Sequence, residues 1–217
     1  QAKNLNLEKL KLDKKIKGAL NLSGKIRGEL TSPRISGQAD FKKLVYQNIE
    51  LGKAEFDYKY KKSDLTITEG RWEFGDSQLK LSGQVYSLFT ERRLALRTEI
   101  NRGKLDKMLS VIGLEPSFQI GYYLKGMAEI TGKLSTPEVK LDLAACELNS
   151  NDVKINITGL VQDQFDLKVV GSNVKLDKFI NMVDSEINLS GRADFYGMIK
   201  GPLRDFRIDL TTNIDQA

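Results

Sequence analysis

The stretch that decides the fold is Gly126-Met-Ala-Glu-Ile-Thr-Gly132-Lys-Leu-Ser-Thr-Pro137-Glu-Val-Lys-Leu-Asp-Leu143. It predicts a strand, a stop at Thr136-Pro137, and a second strand that begins at once. Proline cannot donate a hydrogen bond to a strand ladder, and it restricts the residue before it. The same arrangement occurs in 28–33 and in 197–202, each time with a glycine five residues before the proline. The chain is therefore predicted to contain an internal repeat.

A second repeated element accompanies these stops. The segment Lys104-Leu-Asp-Lys-Met-Leu-Ser-Val-Ile112 returns as Lys175-Leu-Asp-Lys-Phe-Ile-Asn-Met-Val183. In both copies apolar residues recur at i, i+3, i+4 and i+7, which predicts short helices at about 104–113 and 175–184, each with one apolar face. These faces comprise Leu105, Met108, Leu109 and Ile112 in the first helix, and Leu176, Phe179, Ile180 and Val183 in the second. We expect the helices either to cap the sheet or to act as a plug or gate.

The repeat divides the chain into three predicted units. Residues 1–100 form the first β-unit, in which 1–17 are either an extended strand or the tail of a preceding unit. Residues 101–172 form a second unit of helix plus strands, and 173–217 form a third unit that is cut short. Because the pattern is unfinished at both ends, we expect the sequence to be part of a longer chain that continues the same structure.

Between these stops, apolar and polar residues alternate with a period close to two. Such alternation predicts strands that have one dry and one wet face, and short gaps between them favour antiparallel pairing. About a dozen strands are expected. The candidate apolar-face residues are Phe56, Tyr58, Leu65, Ile67, Leu79, Leu81, Leu94, Leu96, Leu141, Leu143, Val153, Ile155, Ile157, Phe165, Leu167 and Val169.

A sheet with one apolar face must bury that face, and two short helices cannot cover a dozen strands. The sheet could close as a barrel, fold as a sandwich, or curl into a gutter with an apolar interior. A repeat that is incomplete at both ends favours the third solution, a mainly β fold in which a curled antiparallel sheet forms an open groove. Since each strand adds about 4.8 Å, this groove would be roughly 55 Å long.

The composition is mildly basic, and its lack of histidine excludes several classes of catalytic and metal site. The chain has 34 basic and 29 acidic residues, a net charge of +5, no histidine and one cysteine. A zinc site, a Ser-His-Asp triad and a Cys-His pair all need residues that this chain lacks. Asp57, Asp142 and Asp166 alternate with apolar residues beside lysines, which predicts cross-strand charge pairs on a wet face. We therefore expect no enzymatic activity, no metal and no cofactor.

Short basic clusters, such as Lys61-Lys62 and Arg92-Arg93, are explained by solvated strand faces, with binding of anionic lipid headgroups or of nucleic acid as alternatives. No aromatic-rich RNA-binding signature or zinc-finger spacing supports the second alternative, so we expect no nucleic-acid partner. Cys146 follows Ala144-Ala145 and is predicted to be a small core residue. Trp72 is interpreted as a core or rim aromatic rather than a ligand contact.

The Leu-x-Leu-x-Gly strands, the Gly-x-Leu-x-x-Pro stop and the Leu-Asp-Lys helices resemble the AsmA-like/TamB family, and in particular its C-terminal β-taco region. More broadly the chain is similar to the bridge-like lipid transfer proteins with a repeating β-groove. The resemblance runs from Gly18 to about Asn213. It implies a taco-shaped sheet in the periplasm that moves phospholipid between the inner and outer membranes. It also implies an inner-membrane anchor and an outer-membrane β-barrel partner of the BamA/TamA type.

Two interpretations of the apolar face remain open. It could be an ordinary packed core, as the bulky Phe56, Tyr58, Tyr60, Trp72 and Phe74 suggest for the first unit, or a groove for acyl chains, as the Leu, Ile and Val of the later units suggest. Two functional classes also remain. One is a lipid conduit, which needs a continuous apolar face; the other is a scaffold or chaperone for outer-membrane β-barrel proteins, which needs an exposed edge strand.

Overall fold

The computed structural model describes residues 1–10, 16–29, 31–46, 49–104, 122–147, 153–175, 191–203 and 205–215. These residues form thirteen strands and one short 3-10 helix at Leu7–Leu10. The strands are β1 Ala2–Asn6, β2 Ile16–Arg27, β3 Arg34–Tyr46, β4 Ile49–Lys61, β5 Asp64–Phe74, β6 Ser77–Tyr86, β7 Arg93–Lys104, β8 Tyr122–Lys133, β9 Thr136–Glu147, β10 Val153–Val161, β11 Gln164–Lys175, β12 Arg192–Pro202 and β13 Arg207–Asp215.

All thirteen strands belong to one antiparallel sheet in which each strand pairs with the next strand along the chain. The sheet is not closed, so β1 and β13 are its two edges. The prediction of a mainly β, open antiparallel sheet is therefore confirmed. The two predicted helices and their apolar faces fall in 105–121 and 176–190, outside the described residues. Lys104 and Lys175, the first residue of each predicted helix, end β7 and β11.

The proline stops all lie at strand ends, as predicted. Pro33 directly precedes β3, Pro137 is the second residue of β9, and Pro202 ends β12. The glycine five residues before each proline does not keep one position. Gly132 lies one residue before the end of β8 and has a φ of +89°, whereas Gly197 lies in the middle of β12. The proline therefore marks the turn in all three places, but the glycine–proline spacing does not.

The two ends of the sheet differ in their longest connections, although the two-residue connection 75–76 between β5 and β6 lies at the same end as the long ones. At one end β4–β5, β8–β9 and β10–β11 are joined by two residues each, 62–63, 134–135 and 162–163. We call this the short-turn end. At the opposite end, 105–121 lie between β7 and β8, and 176–191 lie between β11 and β12. We call this the long-connection end.

The start of the chain adds to the sheet. Of the two alternatives for 1–17, residues 2–6 form the extended strand β1, which pairs with β2. The 3-10 helix then places Leu7 against Leu20 and Ala39, where Leu7 is 2% exposed. The predicted unit boundaries at 100/101 and 172/173 fall inside β7 and β11, and the division into units stays a prediction. Within the described ranges, no helix is long and apolar enough to span a membrane.

Candidate functional site

One face of the sheet is apolar along its whole width. Residues that are directly opposite in an antiparallel ladder point to the same face, so the register traces rows of side chains across the strands. One unbroken row runs from β4 to β12 through Phe56, Gly70, Leu81, Thr98, Ala128, Leu141, Gly159, Leu167 and Ile199. Thr98 is the single polar residue in this row. We call the side on which this row lies the apolar face.

The register brings the predicted face residues together. Except for Val153, every candidate strand residue lies on the apolar face, in the row above or in one of the flanking rows. Val153 begins β10 next to an irregularity in the β9–β10 register, and its side chain is outside the description. The candidate residues do not include several other members of the same face, among them Trp72, Ile100, Leu124, Ile130, Val139 and Phe195.

Two signals explain these omissions. Ile130 and Val139 follow the same alternation as their neighbours and could have been found from the sequence. Trp72, by contrast, lies beyond the register shift at 67–70, where a bulge interrupts the period of two, whereas Ile100 continues the alternation of Leu94 and Leu96 and could also have been found. A bulge changes which face the next residue takes, so a strict alternation rule loses the residues beside it.

From β6 to β10, burial along the apolar face increases toward the long-connection end, whereas in β11 Phe165 is buried even at the short-turn end. In β7, Ile100 near the long-connection end is 3% exposed, while Leu94 near the short-turn end is only half-buried. The same gradient holds in β6 and β9, where Leu79 and Leu143 are buried, but Val85 and Val139 are half-buried. A core cluster thus spans β6 to β12 toward the long-connection end.

Aromatic side chains fill the apolar face around β3 to β5. The rings of Phe41 and Phe56 meet edge to face with centroids 5.7 Å apart. Phe56 also extends over Gly70, where a β-carbon would lie only 2.6 Å from its ring. The indole Nε1 of Trp72 donates a hydrogen bond to the Leu51 carbonyl oxygen at 2.5 Å. This part of the face packs against itself, as the bulky residues of the first unit suggested.

Aliphatic side chains dominate the face from β6 to β10 near the short-turn end, and they remain half-buried. We call this set the aliphatic patch; it consists of Leu81, Val85, Leu94, Leu96, Ile130, Val139, Leu141, Ile157 and Val161. No member carries a hydrogen-bonding side chain. The patch can therefore contact an apolar ligand, and it has no side-chain group with which to orient a polar one.

The opposite face is polar and is crossed by ion pairs between neighbouring strands. Lys53 pairs with Glu73 at 3.0 Å and Lys80 with Glu99 at 3.9 Å. The hydrogen bond to Glu73, together with its negative charge, raises the pKa of Lys53. Of the three carboxylates predicted to form cross-strand charge pairs, Asp166 pairs with Lys200 at 3.9 Å. Asp57 lies opposite Gln38 and Glu69, and Asp142 lies opposite Met127 and Thr158, so no cation faces either of them directly in the ladder.

Within the described ranges, no three His, Cys, Asp or Glu residues lie close enough together to hold a metal ion. Cys146 is 6% exposed, in agreement with its predicted place in the core. Lys104 donates to Asp76 at the long-connection end, and this hydrogen bond and the lysine charge lower the pKa of Asp76.

Comparisons of the chain with protein-family models, with curated proteins and with solved structures found no match in any of the three.

Proposed function

We propose that this chain is a segment of a lipid-transfer conduit, and that its apolar face carries the acyl chains of phospholipids. The observation that carries the proposal is the aliphatic patch: branched side chains on an open sheet remain half-buried while the same face is fully buried nearer the long-connection end. Leaving apolar surface in water costs about 25 cal/mol per Å². An acyl chain removes that cost without needing a hydrogen-bond partner.

The shape of the sheet favours a conduit over a carrier. Thirteen strands at about 4.8 Å each extend the apolar face over roughly 60 Å, much longer than one phospholipid. A carrier that holds one lipid needs a closed pocket, whereas this sheet has two open edges. The repeat of proline stops and the resemblance to the AsmA-like/TamB family support the same proposal.

The proposal includes a location and partners. By that resemblance, the segment belongs to a periplasmic protein with an inner-membrane anchor, and it works with an outer-membrane β-barrel protein of the BamA/TamA type. We further propose that the two short helices cover or gate the face, and that the protein performs no enzymatic step and needs no cofactor.

The test is direct measurement of bound lipid. The protein is purified without detergent and extracted with organic solvent, and phospholipid is measured by mass spectrometry. Uptake of an acyl-labelled phospholipid from vesicles is measured in parallel. We expect co-purified phospholipid and saturable uptake. If the folded protein carries no phospholipid and takes up none from vesicles, the apolar face is a packed core and the proposal is wrong.

A second candidate function is supported by the edge strand β13. Among the described residues this strand has a ladder to β12 alone, and its apolar-face residues Ile208 and Leu210 are 51% and 40% exposed. An exposed edge with apolar side chains can accept an added strand from a client protein. A scaffold for outer-membrane β-barrel proteins would bind unfolded barrel strands through this edge. If a barrel-strand peptide cross-links to the protein at Ile208, and the purified protein carries no lipid, the scaffold function is favoured over the conduit.

A further inference from the structure

Cationic side chains form a row at the short-turn end of the polar face. Arg27 lies directly opposite Arg34, and Arg34 lies opposite Lys61. Farther along the same end, Arg93 lies opposite Lys133. We call these five residues the basic rim. Like charges that are directly opposite each other in a ladder destabilise the pairing, so this arrangement has a cost in the isolated protein.

The basic rim differs from the ion-paired lysines elsewhere on the polar face, a face on which carboxylates also lie opposite each other at Asp40–Glu55 and Asp57–Glu69. Lys53, Lys80 and Lys200 each lie opposite a carboxylate and form an ion pair with it. Across the described part of the chain, none of the five rim residues forms an ion pair. Asp64 lies opposite Lys61, but its Oδ1 accepts a hydrogen bond from the Ser87 backbone N–H at 3.0 Å. Among the described ladder pairs, Asp64 is the one carboxylate opposite a rim residue, so the rim keeps an excess of positive charge.

The basic rim adjoins the apolar face. Each rim residue is followed or preceded in its strand by a residue that points to the other side, for example Leu94 after Arg93 and Tyr60 before Lys61. Near β2 to β4 both kinds of residue line one open depression of about 740 Å³, which includes Arg27, Arg34 and Lys61 together with Ile35 and Tyr60, and also the carboxylate Glu29. Positive charge and apolar surface thus meet at the short-turn end of the sheet.

We propose that the basic rim binds the anionic phosphate of a lipid headgroup while the apolar face holds the acyl chains. This inference rests on the proposed function and names its substrate class, an anionic phospholipid. Arginine and lysine are the side chains that bind phosphate, and an anionic group at the rim would offset the repulsion between Arg27, Arg34 and Lys61. A headgroup at the short-turn end would orient the lipid, with its polar part at the rim and its chains across the strands.

The test compares two triple variants that lose the same charge from the same face. The rim variant is Arg27→Gln/Arg34→Gln/Lys61→Gln, and the matched control is Lys53→Gln/Lys80→Gln/Lys200→Gln. Uptake of acyl-labelled phosphatidylglycerol and of acyl-labelled phosphatidylcholine from vesicles is measured for each protein, and thermal unfolding is followed for all three. Because the rim variant loses like-charge repulsion, we expect its Tm to equal or exceed that of the unmodified protein, so misfolding does not explain a loss of binding.

We expect the unmodified protein to prefer phosphatidylglycerol over phosphatidylcholine by about tenfold or more, because each cation near an anionic lipid surface favours binding severalfold. The rim variant should lose this preference and keep its uptake of phosphatidylcholine. The control should keep the preference. Excess inorganic phosphate at constant ionic strength should displace little phosphatidylglycerol, since it cannot replace the acyl-chain contacts.

Several outcomes would overturn the inference. Equal losses in both triple variants would mean that net charge alone attracts the lipid. Displacement by inorganic phosphate would mean a site for free phosphate, and tighter binding of a single-stranded oligonucleotide would mean a nucleic-acid site. If the unmodified protein takes up both lipids equally, the rim inference fails while the proposed function stands. If it takes up neither, both fail.

Discussion

Phe195 lies directly opposite Gly171 in the β11–β12 ladder, and its ring occupies the space that a β-carbon at Gly171 would need. That β-carbon would lie 2.2 Å from the Phe195 ring. Phe195 is 6% exposed and belongs to the buried cluster of β6 to β12, so its ring has little freedom to move away. The absence of a side chain at Gly171 therefore makes room for an aromatic ring on the neighbouring strand.

This relationship predicts strong coupling between the two positions. Gly171→Ala should lower the free energy of unfolding by about 1–3 kcal/mol, because the added methyl group overpacks the core. Phe195→Ala should lower it by about 3–5 kcal/mol, because it leaves a cavity. In the double variant the methyl group enters that cavity, and the total loss should be smaller than the sum. Urea denaturation of the three variants measures this, and strict additivity would contradict the packing described here.

Gly159 should be intolerant of alanine for a different reason. Its φ is +140°, and a β-carbon would lie 2.1 Å from the Asp166 carbonyl oxygen on the neighbouring strand. We expect Gly159→Ala to lower the free energy of unfolding by about 2–3 kcal/mol. Gly191→Ala is the control: its φ is +121°, but nothing lies within 4 Å of the added carbon. In this control the free energy of unfolding should fall by about 1 kcal/mol. Equal losses by thermal denaturation would mean that φ alone, not the close approach, disfavours alanine at Gly159.

A charge in the aliphatic patch should remove bound lipid. Leu81 lies on the apolar face in β6 and is half-buried, while Gln78 in the same strand is exposed on the polar face. Leu81→Glu and Gln78→Glu add the same charge. An acyl chain cannot solvate a carboxylate, so Leu81→Glu should reduce extracted phospholipid severalfold, while Gln78→Glu should leave it unchanged. Similar losses in both variants would favour recognition through the surface charge.

The edge strand β13 should exchange its amide hydrogens faster than interior strands. Within the part of the chain that the structure describes, it pairs with β12 alone, whereas β11 has ladders to both β10 and β12. Amides of 207–213 that point away from β12 lack a partner strand and should exchange quickly in dilute protein, while those of β11 should be protected. Hydrogen exchange by mass spectrometry at several protein concentrations measures this. Strong protection of β13 at every concentration would mean that another segment covers the edge.

The ion pair at the long-connection end predicts a pH effect with a definite sign. Lys104 lowers the pKa of Asp76 through a hydrogen bond and its charge. A lowered pKa in the folded state contributes stability above the carboxyl's unfolded pKa, and this contribution is lost as pH falls through the folded value. Lys104→Met should raise the pKa of Asp76 toward its ordinary range, while Lys80→Met should not. An NMR titration of the Asp76 carboxyl distinguishes the two, and an unchanged pKa in Lys104→Met would contradict the pairing.

The sequence by itself was sufficient to predict the strands and the face that most residues take. Alternation is a local property: when Leu79 and Leu81 are separated by one polar residue in a strand, they must share a side, whatever the strand pairs with. The proline stops are equally local, because the missing N–H and the fixed φ of proline act on its own segment. For this reason the predicted strands around Pro33, Pro137 and Pro202 agree with the observed ones.

Only the tertiary structure decided how the strands join. Register is a relation between strands, and a shift by one residue would move every side chain to the other face. The bulges beside Gly70 and Gly103, the place of Phe195 over Gly171, and the row that brings Arg27, Arg34 and Lys61 together all depend on register. The burial gradient does too, since half-buried and buried leucines have the same alternation in sequence. A local pattern determines which side a residue faces, but only the paired strands determine what it faces.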